Sequence, residues 1–191
     1  LPMWSNSSKE DRVALLESLY SIYQRRMDEM AELISMEMGA PIDFAKRSQA
    51  PSGTEAIEDF LNQLKKFEFE KQLDDSDNQL IYQPKGVCAL ITPWNWPISQ
   101  VALKVIPAIA AGCTMVLKPS EIAPLDSMLF AEMLEEAGCP AGVFNLVNGD
   151  GAGVGSQLTS HPDIDMVSFT GSTRAGALIS HNAADDFKRV G

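Results

Sequence analysis

"GVCALITPWNWPISQVALKVIPAIAAGCTMVLKPSE", residues 86–121, is the stretch that decides the fold. A brief apolar run from Gly86 to Thr92 gives way to helical spacing over about 98–111, and after Gly112 a second apolar run spans Thr114 to Pro119. Short, mostly apolar runs read as strands buried on both faces, and a helix between two of them makes a parallel pair with the helix as crossover. The unit repeats downstream: "VFNLV" (143–147) and "DMVSFT" (165–170) are further strands, with helix-compatible stretches at 124–137, 152–160 and 173–183. The alternation predicts an α/β fold on a doubly wound parallel sheet with right-handed crossovers.

Upstream, the pattern is helical. Ser7 and Glu10 have capping-box spacing, and Val13, Leu16, Leu19, Tyr23, Met27, Met30 and Ile34 recur at helical intervals until Gly39 and Pro41. One long amphipathic helix is expected there. A second follows Pro51, with Ile57, Phe60, Leu61, Leu64 and Phe67 on one face. "KQLDDSDNQ", 71–79, reads as a solvated connector. The expected organisation is a helical segment over 1–79 and an α/β region over 80–191. "LPMWSNSS" has neither an initiator Met nor the regions of a signal peptide, so the start reads as a cut inside a longer protein.

Composition narrows the partners. The 191 residues carry 15 Lys+Arg against 26 Asp+Glu, a formal net charge of -11, with no basic run interleaved with aromatics. Nucleic acid and anionic membrane are excluded as expected partners. Residues 101–117 are apolar but interrupted by Lys104, Pro107 and Gly112, and fall short of the ~20 residues that span a bilayer. Three cysteines, Cys88, Cys113 and Cys139, are too few and scattered for a disulfide framework or a metal pair, which points to a reducing, cytoplasmic setting and no metal.

In doubly wound sheets ligands bind beyond the carboxyl ends of the strands, so four strand ends carry the chemistry. "NGDGAGVG", Asn148 to Gly155, either lets backbone approach a phosphate or is a plain glycine-rich turn; it does not match G-x-G-x-x-G. "GSTRAG" from Gly171 has Walker A glycine spacing, but Ala177 and Leu178 stand where Lys and Ser/Thr are required, which rejects a P-loop. "KPSE", 118–121, is either a solvated strand end or an ammonium and a carboxylate for ribose hydroxyls. "TPWNWP", 92–97, sets the polar Asn95 between two tryptophans. His161 and His181 read as surface residues, and the three cysteines as small apolar or loop residues.

Together, "ITPWNWP", "LKPSE", "GDGAGVG" and "SFTGSTRAG", with "EMGAP" closing the N-terminal helix, resemble the aldehyde dehydrogenase superfamily over nearly the whole chain. The resemblance implies a Rossmann-like variant of the sheet, preceded by long N-terminal helices and truncated before the catalytic domain. It implies that Asn95 donates its amide to the oxyanion formed when a cysteine thiolate attacks an aldehyde, and that Lys104 is a buried proton-relay lysine. Thr92, Pro93 and Trp94 would lie along the nicotinamide. Lys118, Ser120 and Glu121 would contact the adenine ribose, Gly151, Gly155 and Ser156 would border the adenine, and Gly171 and Ser172 would open the helix beneath the pyrophosphate. Arg174 departs from a position often acidic in relatives. The family's general-base glutamate follows the segment that "FKRVG" resembles, and its nucleophilic cysteine lies further on. The chain is therefore expected to be the cofactor-binding part of an NAD-dependent enzyme, with NAD preferred over NADP, that oxidises an aldehyde to a carboxylic acid as a homodimer or homotetramer. The alternative is a non-catalytic nucleotide-binding or oligomerisation module.

Overall fold

Ser8, not Ser7, opens the first long helix. In the computed structural model, which describes residues 2–74 and 76–191, helix α1 runs Lys9–Arg25. Leu1 of the opening stretch and Asp75 of the expected connector lie outside the described residues. Ser8 Oγ accepts from the Asp11 N–H at 3.0 Å, and the Asp11 carboxylate accepts from the Ser8 N–H at 3.1 Å. This is a capping box one residue later than the sequence suggests. Ser7 is occupied elsewhere: its hydroxyl donates to the Trp4 carbonyl at 2.6 Å and accepts from Arg12 Nε at 2.9 Å.

The expected single helix is two. α1 stops at Arg26, whose backbone leaves helical geometry (φ -103°, ψ 13°), and α2 spans Met27–Met38. The guanidinium of Arg26 bonds Glu29 and reaches Glu132 at 2.9 Å. The apolar spacing continues across the break, which is why the pattern hides it. Gly39 ends α2 in the left-handed conformation. A π-helical turn, Ala45–Gln49, closed by Ala50 N–H donating to the Ala45 carbonyl at 2.9 Å, leads into α3, Pro51–Lys66. Instead of a connector, β1 (Glu70–Gln72) and β2 (Gln79–Ile81) form an antiparallel hairpin. All its paired residues are exposed, so no alternation of burial marked it in the sequence.

The main sheet follows as β3 (Val87–Ile91), α4 (Pro97–Ala110), β4 (Thr114–Lys118), α5 (Leu125–Glu136), β5 (Phe144–Leu146), α6 (Ser156–Ser160), β6 (Met166–Phe169), α7 (Thr173–Ala184) and β7 (Arg189–Val190). Its five strands run in the order β5-β4-β3-β6-β7, every neighbour parallel. The chain starts in the middle, builds outward on one side and returns to build the other. The order therefore reverses between β3 and β6, where Ile91 pairs with Phe169.

Side chains alternate across β3: Cys88 and Leu90 join a large core with the helices, while Ala89 and Ile91 join a smaller one with Val167, Ile164 and Ile179. Burial on both faces holds for β3 and β4, but β5 is an edge strand with Asn145 exposed. No helix among the described residues is long and apolar enough to cross a membrane.

Two polar residues lock this frame. Arg12 is buried, and its guanidinium donates to the carbonyls of Ser7 (3.1 Å), Ser5 (3.3 Å) and Ala110 (3.2 Å), the last at the carboxyl end of α4. Gly112 makes room: at φ +78°, a Cβ there would sit 2.5 Å from Arg12 Nη2. On the other side, Glu37 of α2 caps α5, accepting from the N–H groups of Leu125 (2.6 Å) and Asp126 (3.1 Å).

Asp126 is fully buried, and burial, then the neighbouring Glu37 carboxylate, hold its carboxyl well above the usual range. Its proton is retained in the folded state and lost in the unfolded one. The associated stability is thus complete below the ordinary carboxylate value of 3.8 and is lost as pH rises through the folded value. Asp126→Asn removes that loss, so the melting temperature of the variant minus that of the wild type is expected to grow as pH rises above the ordinary carboxylate value of 3.8. A difference independent of pH contradicts it.

Candidate functional site

At the strand-order reversal, the carboxyl ends of β3 and β6 open into a cleft of about 450 Å³. Ile91 and Phe169 form its floor, Gly151, Gly155 and Ser156 one wall, and Arg174, Ala175 and Leu178 of α7 the other. The glycine wall is a π-helical turn, Gly151–Gly155, opened by Asp150, whose carboxylate accepts from the Gly153 N–H at 2.8 Å. A Cβ on Gly155 would lie 3.8 Å from Lys118 Cδ, so the turn wraps the side chain leaving β4. The opposite wall begins at Ser172, which caps α7 by accepting from the Ala175 N–H at 3.3 Å. Gly171 folds back on the Phe169 ring: a Cβ there would fall 2.5 Å from it, which excludes any other residue without displacing the cleft floor. Cleft and helix N-terminus together suit a phosphate-bearing ligand.

Beside the cleft lies the end of β4. Lys118 is buried and its Nζ donates to the Pro119 carbonyl at 2.8 Å and to Glu121 at 3.5 Å, whereas the Glu121 side chain is 54% exposed. A fixed ammonium beside a solvent-facing carboxylate offers both a donor and an acceptor to a diol. Ser120 is committed to its own turn, its hydroxyl accepting from the Ile122 N–H at 3.3 Å. Thr92 is buried and ties the two strand ends, its N–H donating to the Lys118 carbonyl at 3.3 Å.

Beyond Thr92 the chain surfaces. Pro93 is half-buried, while Trp94, Asn95 and Trp96 are exposed before Pro97 starts α4. Core packing is therefore not the role of Trp94. Trp96 meets Phe44 edge-on, with ring centroids 5.7 Å apart. The Asn95 carbonyl accepts from Gln49 Nε2 at 3.4 Å, and its side-chain amide has no partner among the described residues.

Lys104 lies further along α4, half-buried, and burial lowers its pKa. The sequence around it suggests few polar neighbours, but its Nζ donates to Ser168 Oγ of β6 at 3.0 Å. Of the residues singled out in the sequence, Gly151, Gly155 and Ser156 line the cleft; Lys118 lies against Gly155 and Ser172 caps the helix of the opposite wall, whereas the Asn95 loop and the Lys104–Ser168 pair are not part of its lining. Ile91, Phe169, Ala175 and Leu178 of the cleft, and Ser168, were not singled out in the sequence. In the sequence Leu178 is named only because it stands where a P-loop requires Ser/Thr; its 52% exposure is seen only in the structure.

Cys88 and Cys113 are buried towards the amino-terminal ends of β3 and β4, and burial pushes the thiol of Cys139 up to about 11. None of the three sits at the carboxyl edge. His161 and His181 are exposed.

The aldehyde dehydrogenase family model matches residues 1–191. A 3-succinoylsemialdehyde-pyridine dehydrogenase of a Pseudomonas species is 52% identical over 188 residues, 98% of this chain and 39% of that protein. An aldehyde dehydrogenase from Bartonella henselae superposes with a TM-score of 0.96 at 56% identity, covering 98% of this chain and 40% of that one. A mutant of aldehyde dehydrogenase C from Pseudomonas syringae, in complex with NAD+ and octanal, superposes with a TM-score of 0.96 at 48% identity, over 99% of this chain and 39% of that one. The chain spans about two fifths of the length of these relatives. The glycine turn, the capped helix and the "PWN" loop thus stand on a sheet shared with solved relatives and matched by the family model from end to end, and the chain belongs to the aldehyde dehydrogenase family.

Proposed function

We propose that these residues form the NAD-binding part of an enzyme that oxidises an aldehyde to a carboxylic acid, the nucleophilic cysteine and general-base glutamate coming from a longer chain. Residues 1–79 serve as a helical brace and 80–191 as the cofactor-binding region. The observation that carries the reading is the cleft at the strand-order reversal, flanked by Lys118 and Glu121 and by the Ser172-capped helix, in a chain whose solved relatives include complexes with NAD+.

The donor set fits the cofactor. Gly151, Gly155 and Ser156 border the adenine, Lys118 and Glu121 hold the ribose hydroxyls with Ser120 shaping their turn, and Gly171 and Ser172 present the helix N-terminus to the pyrophosphate. Thr92, Pro93 and Trp94 line the approach to the nicotinamide. NAD held by these residues would supply the hydride acceptor. Asn95 donates its amide to the oxygen of the reacting carbonyl, and Lys104, its ammonium destabilised by burial and hydrogen-bonded to Ser168 Oγ, is the proton-relay lysine. The setting is cytoplasmic, and the enzyme works as a homodimer or homotetramer.

NAD is preferred over NADP. Glu121 accepts a ribose hydroxyl, a bond of about 1.5–3 kcal/mol when charge-assisted, and would repel a phosphate in that place. Competitive titration of the complete enzyme is expected to show NAD bound about tenfold more tightly or better, and Glu121→Gln is expected to narrow the ratio by about tenfold. Equal or tighter binding of NADP by the wild type contradicts the assignment of Glu121.

A further inference from the structure

An amide that stabilises an oxyanion must be held before the charge develops, yet Asn95 sits in an exposed loop with no side-chain partner among the described residues. Two contacts grip that loop, and both come from the same N-terminal stretch. Phe44 packs edge-on against Trp96, and Gln49, five residues on, donates from Nε2 to the Asn95 carbonyl at 3.4 Å.

We propose that Gln49 is a positioning residue: from its π-helical turn it fixes the Asn95 main chain and so aims the Asn95 amide at the reacting carbonyl. The proposal rests on Asn95 being the oxyanion donor.

Gln49 is 1% exposed, and its Oε1 is buried with no hydrogen-bond partner among the described residues. Its orientation is set by chemistry. Nε2 also donates to Met38 Sδ at 3.3 Å, so turning the amide over would aim Oε1 at a carbonyl and a thioether, neither of which donates. A buried acceptor left unmatched weakens a fold, and a methionine of similar length would fill the space without that penalty. Packing alone therefore gives no reason for glutamine, whereas the Nε2 bond to Asn95 does. The π-helical turn is a second sign, since the extra residue it inserts re-aims the side chains around it and such turns gather at functional sites. Phe44 and Gln49 thus form a clamp closing on Trp96 and Asn95 from one side.

A double-mutant cycle in the complete enzyme tests this: wild type, Gln49→Met, Asn95→Ala and the double variant, each with kcat, NAD titration and a melting curve. Gln49→Met is expected to lower kcat about tenfold while leaving NAD affinity unchanged, because a small misplacement of a reacting-site group suffices for such a loss. In the Asn95→Ala background the same change is expected to matter less than about twofold, since nothing remains to be aimed. Wild-type kcat in Gln49→Met, or an undiminished loss in the Asn95→Ala background, overturns the proposal while leaving the oxyanion reading standing. Wild-type kcat in Asn95→Ala overturns both. Should Gln49→Met not fold, Phe44→Leu reads the other arm of the clamp. It must show the same loss and the same dependence on Asn95, and unaltered kcat there overturns the proposal.

Discussion

Asn95→Ala is expected to lower kcat of the complete enzyme by roughly 10²–10³ while the NAD dissociation constant stays nearly unchanged. The amide has no partner among the described residues, so removing it breaks no hydrogen bond of the fold, and it lies outside the cleft proposed for the cofactor. What is lost is a bond that strengthens only as the carbonyl oxygen becomes negative. Asn95→Asp is expected to be worse, because a carboxylate accepts where a donor is needed and repels the developing charge. A residue that merely shapes the turn gives another pattern: both variants would then lose thermal stability, cofactor affinity and kcat together.

The largest loss of stability is expected at Arg12. Its guanidinium ties the carbonyls of Ser5 and Ser7 to that of Ala110 and lies 5.3 Å from the centre of the Phe69 ring. Arg12→Met leaves those carbonyls without their donor while roughly preserving the buried volume, so the cost is one of hydrogen bonding, about 3–4 kcal/mol. Arg12→Lys keeps the charge but lacks the fork that reaches several acceptors at once, and is expected to recover less than half of it. Urea unfolding of the three proteins measures this, and a loss below about 1 kcal/mol for Arg12→Met would mean that water satisfies the carbonyls equally well.

How much of this the sequence disclosed depended on whether a feature is local. Helix α4 was expected over 98–111 and spans Pro97–Ala110, and the strand expected at 114–119 spans Thr114–Lys118, because apolar periodicity and the stops at Gly112 and Pro119 are written in adjacent residues. Features set by distant partners stayed hidden. Arg26 breaks the first helix while leaving its apolar spacing intact, and the hairpin of β1 and β2 has no buried face to announce it.

The same division holds at the site. The glycine turn, Lys118 with Glu121, and Gly171 with Ser172 could be singled out because their residue types are unusual where strands end. Ser168 against Lys104, Glu37 capping α5 and Gln49 behind Asn95 join residues 64, 88 and 46 positions apart, and nothing in one sequence connects them. The one-residue shift from Ser7 to Ser8 at the first cap has a local cause instead: Arg12, five residues on, takes the hydroxyl that the spacing assigned to the helix.

The most direct test of the central claim is a first-turnover measurement in the complete enzyme with NAD saturating, following NADH as aldehyde is mixed in. Rapid NADH formation is expected in the wild type, and a rate slowed roughly 10²–10³-fold in Asn95→Ala at wild-type NAD occupancy. A first turnover in Asn95→Ala as fast as in the wild type would contradict the claim.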